Sequence, residues 1–176
     1  MLEDGSKLRD VLVLADEGAE LTFAIDVTRM PRLLDLLAAP TGRAHGTVTF
    51  GRDRGFAVAR VDVTADLTLQ CQRCLKPLVT EVQGESQVFL LESEADAERA
   101  PAEVETMVAQ EGRLRIAELV EEDLLLALPV APRHERASEC ATSVKVLQPE
   151  AAKPDVQRPF ASLNELLGRD EPKRRQ

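Results

Sequence analysis

From Phe56 to Cys71 the chain places Val61, Val63, Ala65, Leu67, Leu69 and Cys71 at every second position, with Asp62, Thr64, Asp66, Thr68 and Gln70 between them. Successive side chains of a strand point to opposite faces, so this period of two requires a long strand with one face buried and the other wet. The preceding Gly46 to Phe50 is rich in β-formers, and Gly51-Arg52-Asp53-Arg54-Gly55 has the turn chemistry to fold it back as a hairpin. Alternation resumes over Leu78 to Leu91, predicting a second hairpin that turns around Arg73 to Pro77. Gly84 marks a bulge or weak point in that last strand.

Helical signals flank this meander. Leu33, Leu34, Leu36 and Leu37 predict a short helix over Pro31 to Ala39, ended by Pro40. Ile116, Leu119, Val120, Leu124, Ala127 and Leu128 recur at three and four residues, with Glu118, Glu121 and Glu122 on the opposite face and Pro129 as terminator. A short strand is expected over Val104 to Val108. Residues 92–103 are rich in Glu and Ala and read as an acidic linker or frayed helical turn, and 132–158 as a long irregular loop. One or two helical turns start at Pro159, and 169–176 form a disordered tail. The fold class is α+β, an antiparallel meander or partly closed sheet packed with a few short helices, in a single domain over 1–168.

Composition narrows the function. The formal net charge of -9, with no Trp, no Tyr and five Phe, opposes extensive wrapping of RNA, which needs cations for phosphates and aromatic rings for bases. Between Glu81 and Asp123 there are 13 acidic residues against three arginines, an excess suited either to steering a basic protein partner or to ordinary solubility. No apolar run approaches the roughly 20 residues of a membrane span. The opening decapeptide carries Glu3, Asp4, Lys7, Arg9 and Asp10 in place of the apolar core of a secretory signal, so the expected compartment is the cytoplasm.

Cys71 and Cys74 are spaced so that both thiolates can grip one tetrahedral zinc from a turn, and His134 with Cys140 would complete the site. Zinc would also explain how an irregular segment is held. Two other readings stay open: Cys71 as a small core hydrophobe with His134 and Cys140 as exposed loop residues, or a redox pair, although no helix N-terminus is expected beside the thiols to lower their pKa. Arg52, Arg54, Arg73 and Lys76, on neighbouring turns, are candidates for a small phosphate-contacting patch or are simply solvated. His45 and His134 lack a nearby nucleophile, and there is no Gly-rich phosphate loop, so an enzyme is not expected.

The block Leu67-Thr68-Leu69-Gln70-Cys71-Gln72-Arg73-Cys74-Leu75-Lys76-Pro77-Leu78, the later block Leu119 to His134 and the terminal Arg158-Pro159-Phe160-Ala161-Ser162-Leu163 together resemble the bacterial YceD family of large-ribosomal-RNA accumulation proteins. The resemblance implies a non-catalytic role in the synthesis, processing or stability of 23S ribosomal RNA. The expected partner is a large-subunit precursor or a basic ribosomal protein, with limited contact to RNA and no small-molecule substrate or membrane. In some relatives the region around His134 and Cys140 looks richer in cysteine. The alternatives are a small zinc-binding interaction module, or an RNA-processing or thiol-redox enzyme.

Overall fold

The structure, a computed structural model, describes residues 4–140. Its centre is an open five-stranded sheet made of β2 (Glu20–Asp26), β3 (Arg43–Asp53), β4 (Phe56–Gln70), β5 (Pro77–Leu91) and β6 (Glu105–Val108), in that spatial order. The first four strands are antiparallel neighbours, and β6 joins β5 in parallel. A separate ribbon pairs β1 (Leu8–Asp10) with β7 (Arg113–Arg115). Three helices complete the described residues: α1 (Val11–Glu17), α2 (Pro31–Leu34) and α3 (Ile116–Ala127). None is long and apolar enough to cross a membrane. The α+β class and the meander match the sequence expectation, although the sheet does not close.

The period-two pattern of β4 is realised residue by residue. Val61, Val63, Ala65, Leu67 and Leu69 are buried, whereas Arg60, Asp62, Asp66 and Gln70 are exposed on the other face. The buried face meets α1, which packs on β3 and β4, and α3, which packs on β5 and β4. This is the usual solution for an antiparallel sheet with one wet face. Among the described residues the wet face is covered at one end. There Phe89 packs beside Phe56, with ring centroids 6.0 Å apart, and Arg99 sits over the Phe56 ring at 6.0 Å. Arg99 closes a 3₁₀ turn over Glu94–Arg99, so of the two readings of 92–103 the helical turn is the one formed, capped by Ser93 N–H and Oγ on the Asp96 carboxylate.

Other expectations are corrected. The β4–β5 register runs without interruption through Val63↔Gly84, so Gly84 marks no bulge. A Cβ there would crowd Val63 on the paired strand at 3.1 Å, while meeting Asp123 of α3 in ordinary contact at 3.5–3.6 Å, so the pressure on this position comes from within the sheet. The helix expected over 31–39 is the single turn α2, because Ala38 N–H leaves the helical path to donate to Thr68 O at 2.7 Å, on the part of β4 that β3 leaves unpaired. Sequence reading also passed over α1, although Asp10 caps its first N–H groups at Leu12 and Val13 and Gly18 ends it with φ +60. The helical turn expected from Pro159 and the tail from Arg169 lie outside the described residues.

Two acids of α3 depart from the expected wet face. Glu121 is 5% exposed and Asp123 4%. Glu121 caps another helix: its carboxylate accepts from Arg32 N–H at 2.7 Å and Leu33 N–H at 3.1 Å. Met30, which precedes α2, provides no side-chain cap, so these bonds satisfy donors that a helix N-terminus leaves orphaned. Arg32 in turn holds Glu121 and Glu122 by ion pairs, which keep its guanidinium protonated beyond the ordinary range. Glu121→Ala is expected to destabilise the protein by about 1–3 kcal/mol, the cost of leaving buried donors unsatisfied. A denaturant midpoint unchanged from wild type would contradict the capping role.

Candidate metal centre

β4 ends at Gln70, and the chain turns through Cys71-Gln72-Arg73-Cys74-Leu75-Lys76 before β5 begins at Pro77, the cross-strand partner of Gln70. The turn is closed by Cys71 N–H to Lys76 O at 2.9 Å and Leu75 N–H to Cys71 O at 2.8 Å. Leu75 carries φ +60, a left-handed conformation that lets the chain reverse in so few residues. Because Cys71 continues the buried register of Leu67 and Leu69, its sulfur points inward, and it is fully buried. Arg73 N–H donates to Cys71 Sγ at 3.4 Å.

The segment after α3 comes to this turn. Gln72 N–H donates to Pro132 O at 2.8 Å, which brings His134 alongside, and a 3₁₀ turn over Ala137–Glu139 delivers Cys140. His134 Nδ1 lies 3.6 Å from Cys74 Sγ and 3.7 Å from Cys140 Sγ, while Cys71 Sγ and Cys140 Sγ are 4.0 Å apart. All four donor atoms fall within 4.8 Å of one another, and the cysteines are free. With Zn–S of about 2.3 Å and Zn–N of about 2.0–2.1 Å, a regular zinc tetrahedron has S···S edges near 3.8 Å and S···N edges near 3.6 Å. Three of the six separations, at 3.6, 3.7 and 4.0 Å, lie close to those edges, and all six stay within 4.8 Å. Among the described residues this is the one group of three or more such side chains gathered as metal ligands.

The electrostatics suit a thiolate. Burial pushes the Cys71 thiol up, but backbone N–H groups of Cys74 and Arg73, with the backbone and ring of His134, outweigh it and bring the thiol down to about 5. Burial raises the Cys140 thiol, and its hydrogen bonds to Cys74 and Cys71 and their negative charge raise it further. In this arrangement one thiol is ready to bind as the anion, while the other gives up its proton only to a cation that repays the desolvation.

The three expectations for these residues can now be compared. The four side chains meet, so His134 and Cys140 are not loop residues independent of the cysteine turn. No helix starts at Cys71 or Cys74, as the strand patterns implied. The basic patch does not assemble as expected. Arg73 and Lys76 sit on the cysteine turn, whereas Arg52 and Arg54 sit at the β3–β4 hairpin, at the opposite end of β4. A strand of this length separates them by roughly 45 Å at about 3.3 Å per residue. Arg52 is also engaged by Asp16 at 2.8 Å. Neighbouring turns in sequence lie at opposite ends of a strand because each hairpin reverses the chain.

A family model described as "Large ribosomal RNA subunit accumulation protein YceD" matches residues 59–167, more than half of the chain and most of β4, all of β5 and α3, and the four candidate ligands. The chain belongs to the YceD family. No solved structure matches it. The YceD match begins inside β4 and includes the whole cysteine turn, so the candidate metal centre lies within the family's shared region. In metal-free protein, thiolate absorbance at 240 nm is expected to appear as pH rises through about 5, and Cys71→Ala should remove that step. A first deprotonation only near the ordinary thiol value would contradict the hydrogen-bonding account of Cys71.

Proposed function

We propose that this protein is a non-enzymatic ribosome-biogenesis factor that supports accumulation of large-subunit ribosomal RNA by docking a basic ribosomal protein or a precursor particle in the cytoplasm, on a body clamped by zinc. Membership of the YceD family supplies the ribosomal context. The observation that carries the zinc clamp is the gathering of the donor atoms of Cys71, Cys74, His134 and Cys140 within 4.8 Å of one another. Zinc would join the β4–β5 turn to the segment after α3, which is otherwise attached there through a few hydrogen bonds. All four positions are taken by protein donors, the closed arrangement of structural rather than catalytic zinc.

A basic partner is favoured by the wet face of the sheet. Asp62 lies directly opposite Glu85, and Asp66 directly opposite Glu81. Like charges in direct cross-strand register destabilise a sheet, so two such pairs on one face favour a cationic neighbour. Arg73 and Lys76 at the cysteine turn remain available for a limited phosphate contact. Steered association of this kind weakens with salt.

Purified protein is expected to hold about one equivalent of zinc by elemental analysis, and Cys74→Ser or His134→Ala should lose it and lower the melting temperature. Metal-free wild type with an unchanged melting temperature would rule out the clamp. Depletion in cells should lower mature large-subunit RNA relative to small-subunit RNA. Arg73→Glu with Lys76→Glu should weaken co-sedimentation with large-subunit precursors while leaving the melting temperature intact; unchanged sedimentation removes these two side chains from the contact.

A further inference from the structure

Asp123 is a buried acid that the described residues compensate far less than its neighbour Glu121. It lies on α3 over β5, beside Gly84, and is 4% exposed. Among the described residues its Oδ2 has no hydrogen-bond partner, and neither does the nearby buried hydroxyl of Ser86. Glu121, two residues earlier and buried to the same degree, accepts two hydrogen bonds and an ion pair. An isolated buried carboxylate is costly, and a group left in this state calls for a partner.

Asp123 lines a groove of about 380 Å³ between α3 and β6, together with Glu105, Glu122, Val88, Met107 and Leu126. Glu122 is shared with Arg32, whereas Glu105 and Asp123 have no ion-pair partner among the described residues. Leu126 stands 70% exposed at the rim. The charges of Glu105 and Glu122 add to the burial that raises the Asp123 carboxyl, against a smaller opposing effect from Ser86. The three acids do not converge as metal ligands, unlike the cysteine cluster. Apolar walls with dispersed carboxylates fit an amphipathic side chain, whose methylene stem lies along Val88, Met107 and Leu126 while its cationic head meets the acids.

We propose that this groove is a socket for an arginine or lysine side chain of a basic protein partner. The socket specifies where the partner of the preceding section is gripped and rests on that reading. The bound cation neutralises Asp123 and covers Leu126, so a destabilising residue of the free protein becomes a stabilising one in the complex.

The test is a titration of the isotope-labelled, zinc-containing full chain with a blocked tri-arginine peptide, followed by amide NMR. Saturable shifts are expected at residues 105–107 and 122–126. Affinity should fall at least five-fold in Asp123→Asn and clearly in Leu126→Ser, and stay near wild type in Glu94→Gln with Glu98→Gln, which removes charge at exposed positions outside the groove. Asp123→Asn should melt at or above the wild-type temperature. If that variant fails to fold, Leu126→Ser, at an exposed position, decides alone. Shifts spread over the whole acidic surface, affinity indifferent to these substitutions, or tighter binding of magnesium at the same residues would each overturn the socket. Peptide binding in the groove without recovery of large-subunit proteins in affinity capture from cells would keep the socket and overturn the ribosomal reading. Equal recovery by wild type and Asp123→Asn would do the reverse.

Discussion

The unbroken pairing of β4 with β5, from Ala57↔Leu90 to Gln70↔Pro77, governs where every other feature of the molecule can stand. It sets one face of the sheet toward α1 and α3 and leaves the other wet. At one end it presents two thiols on a tight turn, and near its middle it places Gly84 where α3 must come close. A slip of one residue would turn every side chain to the wrong face, so the buried Val and Leu series of β4 holds the register through the hydrophobic effect.

Two polar arrangements are built onto that frame, and they are treated oppositely. At the cysteine turn, backbone N–H groups and His134 compensate a buried sulfur and make it an anion near pH 5. Over β5, Glu121 is fully used as a cap for α2, while Asp123, also buried, is left without a hydrogen bond on Oδ2. The first arrangement is complete within the chain once a cation enters. The second is incomplete within the described residues. A chain of the YceD family thus has here an acidic body in which buried Asp123 faces a groove, the feature on which the proposed grip on a cation rests.

Much of the frame was legible in the sequence. The period of two in Phe56 to Cys71, the second alternating run to Leu91 and the three-and-four spacing from Ile116 need no tertiary information, because each records which face must leave water. Cysteine spacing likewise indicated a two-thiol turn. The burial of Asp123 was signalled too: it stands four residues after Leu119 and seven after Ile116, on the apolar stripe. Short elements were harder to see. One turn of α2 and seven residues of α1 hold too few positions for a period to emerge, and caps supplied from elsewhere, such as Glu121 on α2, have no local signature.

By itself, the sequence determined β3 to β6, though not β1, β2 or β7, which face of β4 and β5 is buried, and that two thiols share a turn, since those properties depend on neighbours within a few residues. Only the tertiary structure decided that His134 and Cys140 meet those thiols at ligand distance and that Arg52 and Arg54 stand at the far end of β4 from Arg73 and Lys76. It also decided that Asp123 lies buried against Gly84 without a partner for Oδ2 among the described residues. Each of these is a relation between residues tens of positions apart, fixed by the direction in which each hairpin returns and by the packing of α3, neither of which a local pattern contains.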